Sequence, residues 1–239
     1  MKISTASISE AGGRDKNDDT VCIRQEENRA CVFVGDGLGG YDGGKIASVT
    51  AAEVILKHWE NHSILTEIPM RNAAECADQA VKQQQSLREG EMKTTMVVLE
   101  IEDERARWMH VGDSRLYHFR KGVLESQTMD HSVSQMAVLM GQIEQGGIRF
   151  HADRNRVFRA LGSENAEADI SSVEKIETGD AFLLCTDGFW EYVYENEMEE
   201  TLRMAETPEE WLKDMKGILL ARASKDNDNF TAAAVFAEE

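Results

Sequence analysis

Residues 31–44 read Cys-Val-Phe-Val-Gly-Asp-Gly-Leu-Gly-Gly-Tyr-Asp-Gly-Gly. The apolar, partly β-branched run that opens this stretch predicts a strand, and Asp36 stands where that strand stops. Six of the chain's 18 glycines lie between Gly35 and Gly44, so backbone there must turn sharply or approach something closely. Beyond them Ala47, Ala51, Val54, Ile55 and His58 recur at helical spacing. Strand, glycine-rich turn and helix follow one another, with a carboxylate inside the turn. This is the first candidate site.

The same ending recurs along the chain. Trp-Met-His-Val-Gly leads to Asp113, and Phe-Leu-Leu-Cys-Thr leads to Asp187 before Gly188. Asp18 and Asp19 precede another predicted strand, and Asp226 and Asp228 precede the last. Asp-Gly alone is ordinary turn chemistry. A turn, however, needs no apolar run before it and no repetition at several strand ends. Carboxylates gathered at one edge of packed sheets repel one another unless a cation stands between them. An all-oxygen donor set selects Mg²⁺ or Mn²⁺ over zinc, and two such ions about 4 Å apart can hold a hydroxide at phosphorus.

Eight runs read as strands: 20–24, 30–34, 95–101, 106–111, 115–119, 170–176, 181–185 and 231–236. Thr207, Pro208 and Glu210 cap a helix carrying Trp211, Leu212, Met215, Ile218 and Leu219, and Asn72 with Glu75 caps another running to about Leu87. Strands, two helices, a block of strands and a late helix pair do not make the alternating rhythm of a doubly wound sheet. Packed sheets covered by helices fit better. With two prolines and no Ser/Gly/Pro-rich tract, no linker divides the 239 residues, and a single domain over 1–239 is expected.

Composition narrows the chemistry further. Lys and Arg number 26 against 44 Asp and Glu, a net charge of −18 that disfavours nucleic acid or an anionic membrane as partner. Apolar runs of about five residues fall far short of the roughly 20 that a spanning helix needs. The first residues lack the apolar core of a secretory signal, and Cys22, Cys31, Cys76 and Cys185 are single and widely spaced. A cytoplasmic location is expected, with the cysteines serving as small buried residues.

Other motifs compete for the same residues. Gly35-x-Gly37-x-x-Gly40 satisfies a dinucleotide fingerprint formally, with Glu53 or Glu60 as the ribose acid, but Asp36 would oppose a pyrophosphate. Gly39-x4-Gly44-Lys45 mimics a phosphate-cradling loop up to Ile46, where a hydroxyl is required. Lys45 then reads as an ordinary residue of a helix's first turn. His58 and His62 flank no metalloprotease glutamate and read as a solvated helix end. His131 and His151 bracket the segment 132–158 and read as locally satisfied.

Taken in order, Gly13-Arg14, Asn17-Asp18-Asp19, Gly35-Asp36-Gly37-Leu38-Gly39-Gly40 and Lys93-Thr94-Thr95 open a series of motifs. Val111-Gly112-Asp113-Ser114-Arg115, Asp130-His131-Ser132, Arg159-Ala160-Leu161-Gly162, Thr186-Asp187-Gly188 and Asp228-Asn229-Phe230-Thr231 complete it. This ordered set resembles the metal-dependent PPM/PP2C family of protein serine/threonine phosphatases in its compact bacterial form, over nearly the whole chain. The resemblance implies a four-layer αββα sandwich, an α/β (α+β) fold of two mainly antiparallel sheets flanked by helix pairs. It implies hydrolysis of phosphoserine and phosphothreonine in proteins by a hydroxide bridging two tightly bound Mg²⁺ or Mn²⁺ ions.

By the same resemblance Asp36 would bridge both metals, the Gly37 carbonyl would bind one of them, and Asp187 and Asp228 would complete the first. Asp18 would act through water, Asp19 would orient that water, and Arg14 would clamp the substrate phosphate. Asp113 with Asp187 would hold a third, weaker ion. The segment 132–158 resembles the family's flap. The resemblance implies a cognate serine/threonine kinase pathway as partner, in a family whose kinase and phosphatase pairs also occur beside secretion machinery, and a chain that acts as a monomer. Asp18 replaces the usual glutamate, Lys93 a common glycine, and Leu38 a histidine found in some members, leaving the general acid unassigned. A regulatory module with little catalysis is the alternative of a different class, but such a chain would be expected to have lost an aspartate or Arg14.

Overall fold

A computed structural model describes residues 1–40 and 42–238. In chain order, strands β1 (Lys2–Glu10), β2 (Thr20–Glu26), β3 (Arg29–Gly35) and β4 (Gly37–Gly39) lead to helices α1 (Gly43–Asn61) and α2 (Glu67–Arg88). Strands β5 (Met92–Thr94), β6 (Met96–Glu102), β7 (Arg105–Val111), β8 (Arg115–Arg120) and β9 (Val123–Gln127) follow. After α3 (Val133–Leu139) and a 3₁₀ turn at Gln145–Phe150 come β10 (Asp169–Ile170), β11 (Glu174–Lys175) and β12 (Asp180–Cys185). The chain ends with α4 (Asp187–Trp190), α5 (Glu195–Met204), α6 (Pro208–Arg222) and β13 (Phe230–Glu238).

Alternation along the central strands produces the layers. In β3, Ala30, Val32 and Val34 face one way and Cys31 and Phe33 the other, and all five are buried. Ala30, Val32 and Val34 join Val97, Leu99, Leu116, Phe182, Leu184 and Val235 in a cluster between the two sheets. Cys31 and Phe33 join Ile55, Trp59, Met70 and Val81 of α1 and α2. On the other sheet Leu183 and Cys185 pack against Trp211, Leu212 and Leu219 of α6. A strand buried on both faces needs a layer on each side. The result is helices, sheet, sheet, helices, as the family resemblance implies.

One sheet runs β1-β13-β12-β8-β9 and the other β10-β7-β6-β3-β2, with β11 also on β7 and β4-β5 as a separate ribbon. Every pairing is antiparallel. Among the described residues no helix is long and apolar enough to cross a membrane.

Three expectations need correction. Helix α2 starts at Glu67, not at Asn72, because Pro69 falls in its first turn, where a missing N–H has no intrahelical acceptor to lose. The strand expected over 170–176 is two fragments, since Ile170 pairs with Met109 and Glu174 with Ala106, so four steps on one side span three on the other. The Ser171 hydroxyl fills the gap by accepting the Trp108 N–H at 3.0 Å. Strand β1 was not expected at all: it lacks an apolar run, and its nine-residue register with β13 makes it a strand.

Buried on the helix-facing side of β6, Glu100 accepts the Ile64 N–H at 3.2 Å through Oε1, while Oε2 has no partner. Burial, the largest cause, pushes its pKa from 4.5 to about 7. The folded state therefore holds this proton more tightly than the unfolded chain does, so stability falls as pH rises from 4.5 to about 7. Glu100→Gln should flatten the fall in melting temperature between pH 5 and 8 measured by calorimetry, whereas an unchanged profile would assign that fall to other groups.

Candidate metal centre

The pairings bring the strand-end aspartates together. Thr20 lies opposite Gly35, which sets Asp19 beside Asp36 within one sheet. Cys185 lies opposite Ala232 in the other, so the chain after β12 meets the chain before β13, where Asp187 and Asp228 sit. The sheets are joined here by Thr186, whose hydroxyl donates to Asp19 Oδ2 at 2.8 Å. Asp36 is fixed by its backbone: its N–H donates to Thr95 Oγ1 at 2.8 Å, and its carbonyl accepts from the Thr95 N–H and the Thr94 hydroxyl at 2.9 Å each. The Thr94-Thr95 pair is thus a clamp on the strand-end turn.

Glycine is required where these loops touch. A Cβ on Gly37 would lie 2.2 Å from the Gly44 carbonyl oxygen, and one on Gly188 would lie 2.0 Å from the Asn229 carbonyl oxygen. The first contact presses the Asp36 turn against the start of α1. The second presses the Asp187 loop against the Asp228 loop. Any side chain at either glycine would push carboxylate-bearing segments apart.

The electrostatics register the crowding. Burial, and then the charges of Asp19, Asp187, Asp113 and Asp228, hold the Asp36 carboxyl well above the usual range. Asp187 is raised well above it too, by burial and then Asp113, Glu191, Asp228 and Asp19. Burial lifts Asp19 to about 6, and burial followed by Asp130 lifts Asp113 to about 7. Asp18 is raised as well, chiefly by burial. Asp19 Oδ1 is buried and has no hydrogen-bond partner among the described residues. An unpartnered buried oxygen, an all-oxygen donor set and five mutually repelling acids fit hard divalent cations.

A cleft of about 530 Å³ is lined by Arg14, Lys16, Asp18, Asp36, Gly37 and Asp228, among others. Asp19 and Asp113 are buried, and neither they nor Asp187 line this cleft. Arg14 pairs with Asp228 through Nε and Nη2 at 3.1 Å each, so the guanidinium already sits beside an expected metal ligand. Asn229 Oδ1 accepts the Asp18 N–H at 2.9 Å, tying that residue to the Asp228 loop.

Several contributors were given no role at the site by the sequence. Lys45 donates from Nζ to the Asp19 carbonyl and reaches Thr20 Oγ1 at 3.3 Å, so it fastens the Asp18-Asp19 segment and is more than an ordinary helix residue. Trp190 Nε1 donates to the Asp113 carbonyl at 2.9 Å, and Arg115 stacks on the Trp190 ring with its CZ 3.5 Å from the centroid. Arg115 is held by Asp130 through two buried bonds of 2.8 Å. Glu191, one turn after Asp187, adds its charge to the cluster and is gripped by Arg154 at 2.8 Å. Only the Val-Gly-Asp-Ser-Arg and Asp-His-Ser motifs could have hinted at the Arg115-Asp130 pair.

Among the described residues, one trio of His, Cys, Asp or Glu groups places ligand atoms within 4.8 Å of one another: His110, His131 and Asp169. No three of the aspartates do so. The trio is nevertheless poorly suited to a metal. His131 Nδ1 accepts the Gly112 N–H at 3.1 Å, so in the neutral ring Nε2 carries the proton and faces Asp169 at 3.2 Å. Arg159 also stands on Asp169 at 2.8 Å, placing a cation where the metal would be. His131 is locally satisfied, as is His151, whose Nδ1 accepts the Asp153 N–H at 3.1 Å.

Residues 10–220 match the family model described as "Protein phosphatase 2C". The chain is 30% identical over 232 residues to the serine/threonine phosphatase stp of Listeria monocytogenes, covering 93% of this chain and 90% of that protein. The structure of PppA, a key regulatory component of T6SS in Pseudomonas aeruginosa, superposes with a TM-score of 0.83 at 27% identity, covering 99% of this chain and 98% of that one. The catalytic domain of the phosphatase PstP in complex with two manganese ions gives 0.84 at 24% identity, with 99% of each chain covered.

If repulsion at Asp36 is what cations relieve, Asp36→Asn in excess chelator at pH 8 should melt higher than the parent chain. A gain of about 1 kcal/mol corresponds to roughly 2–4 °C. Adding Mn²⁺ should raise the parent's melting temperature far more than the variant's. Equal shifts on metal addition would remove Asp36 from the site.

Proposed function

The chain belongs to the protein phosphatase 2C family as a bacterial-type serine/threonine phosphatase, and from that premise we propose how its residues perform the hydrolysis. The observation that carries the reading is the convergence of Asp19, Asp36, Asp187 and Asp228 from two sheets into one mutually repelling cluster, of which Asp36 and Asp228 open on a cleft that Arg14 also lines. Asp36, the Gly37 carbonyl, Asp187 and Asp228 would hold two Mg²⁺ or Mn²⁺ ions, with Asp18 acting through water. Bound there, the ions would acidify a water to a nucleophile near neutral pH.

This chain's own groups supply the rest. Arg14 leaves Asp228 to fork onto two phosphate oxygens, which orients phosphorus for in-line attack. Asp19, buried and anchored by Thr186, would orient through Oδ1 the water by which Asp18 acts. Water adds its oxygen to phosphorus as the P–O bond to the serine or threonine breaks; of the water's two protons one stays with the phosphate and the other reaches the departing oxygen by way of solvent. Leu38 has none to give. Hydrolysis of a phosphothreonine peptide in ¹⁸O-labelled water should place one solvent oxygen in each phosphate in a single turnover, and a trapped phosphorylated chain would refute direct attack.

Asp113 with Asp187 is proposed to hold a third, weaker ion, because two carboxylates are a sparse set for a cation that prefers six oxygens. Asp113→Ala should then keep two tight ions by calorimetric titration while turnover drops by about tenfold or more. Unchanged turnover with a lower melting temperature would make Asp113 an anchor of the turn before Arg115. Phosphoproteins of a serine/threonine kinase pathway are the proposed substrates, in the cytoplasm and with the chain acting as a monomer. The likeness to PppA supports placing that pathway near secretion machinery. The segment 132–158 is proposed as a flap of the single domain.

A further inference from the structure

A second cavity, of about 400 Å³, borders the metal cleft at Leu38 and Gly39, which line both. One wall is the β4-β5 ribbon, where Leu38 pairs with Lys93. The opposite wall is the chain from Asn155 to Ala160 that leaves the flap segment. Three cationic side chains line it, Lys93, Arg156 and Arg159, against the single carboxylate of Glu91. In a chain of net charge −18 this is a local reversal of sign directly beside the reacting centre.

The pairings inside the cavity differ in strength. Arg159 is committed to Asp169 at 2.8 Å. Among the described residues Lys93 pairs only with Glu91, at 3.9 Å with the glutamate side chain 90% exposed, and Arg156 meets Asp153 at 3.2 Å with the arginine 70% exposed. Exposed pairs of this kind are held by about 1 kcal/mol or less, so an incoming carboxylate can replace them. Phe158, 41% exposed, offers an apolar face beside these charges.

We propose that this cavity receives the residues flanking the phosphorylated serine or threonine and selects an acidic side chain there, with Lys93 as the principal determinant and Arg156 in support. A substrate whose phosphate occupies the metal cleft must pass its neighbouring residues over Leu38 and Gly39, and on this side they enter a cationic pocket. The proposal rests on the phosphatase reading above and adds a sequence preference to it. Lys93 does not line the metal cleft, so it is a specificity residue and not a catalytic one.

The test compares kcat/KM for phosphothreonine peptides that carry glutamate, glutamine or lysine on either side of the phosphorylated residue, with p-nitrophenyl phosphate as a substrate that has no flanking residues. The parent should prefer the glutamate peptide to its glutamine counterpart on one side by about fivefold, the order expected of one part-exposed ion pair. Lys93→Gln should flatten that preference and Lys93→Glu should reverse it towards lysine, with p-nitrophenyl phosphate turnover and melting temperature unchanged in both. If the parent cleaves p-nitrophenyl phosphate but shows no preference, or if Lys93→Glu retains the acidic preference, the subsite is refuted while the phosphatase reading stands. If the metal-loaded parent cleaves none of these substrates, both readings fall together.

Discussion

The mutual repulsion of carboxylates around Asp36 is the constraint to which the rest of the structure answers. Burial and four neighbouring aspartates drive this acid well above its ordinary pKa, and Asp187 shares the same predicament. Folding forces on the chain a cluster that water would otherwise disperse, and two packed sheets supply the apolar burial that offsets the strain. A cation turns the penalty into binding energy, because every oxygen that repels its neighbours is a ligand.

The architecture is suited to making such a cluster. Strands of one sheet end at Asp36 and Asp113, strands of the other end at Asp187 and begin after Asp228, and the hydroxyl of Thr186 closes the gap to Asp19. Glycines at 37, 44 and 188 let the backbones touch where the acids must meet. Around this centre the supporting contacts come in pairs: Thr94 and Thr95 on Asp36, Trp190 and Arg115 near Asp113, Arg14 on Asp228. Asp36 and Asp113 are held through their backbone groups, which leaves their carboxylates free to meet a cation.

Much of this was legible in the chain because strand-end aspartates carry two signals at once, an apolar run and a charge that stops it. The layered fold was legible mainly through the ordered motifs. Periodicity alone missed β1, whose Ser and Thr positions become a strand only through nine pairings with β13, and it misplaced the start of α2, where Pro69 disguised the first turn. The role of Lys45, which reads as an ordinary helix residue, and that of Glu191 were hidden for a different reason. Their importance lies in which carbonyl or carboxylate they meet across the fold, and no spacing along the chain encodes that. The His110, His131 and Asp169 trio, assembled from three separate segments, escaped notice for the same reason.

Anomalous diffraction at the manganese edge, from crystals of the unmodified chain grown with Mn²⁺, addresses the central claim most directly. The account predicts two strong peaks ligated by Asp36, the Gly37 carbonyl, Asp187 and Asp228, with any third peak at Asp113 weaker and dependent on metal concentration. Strong peaks at His110, His131 and Asp169, with none among the strand-end aspartates, would contradict it.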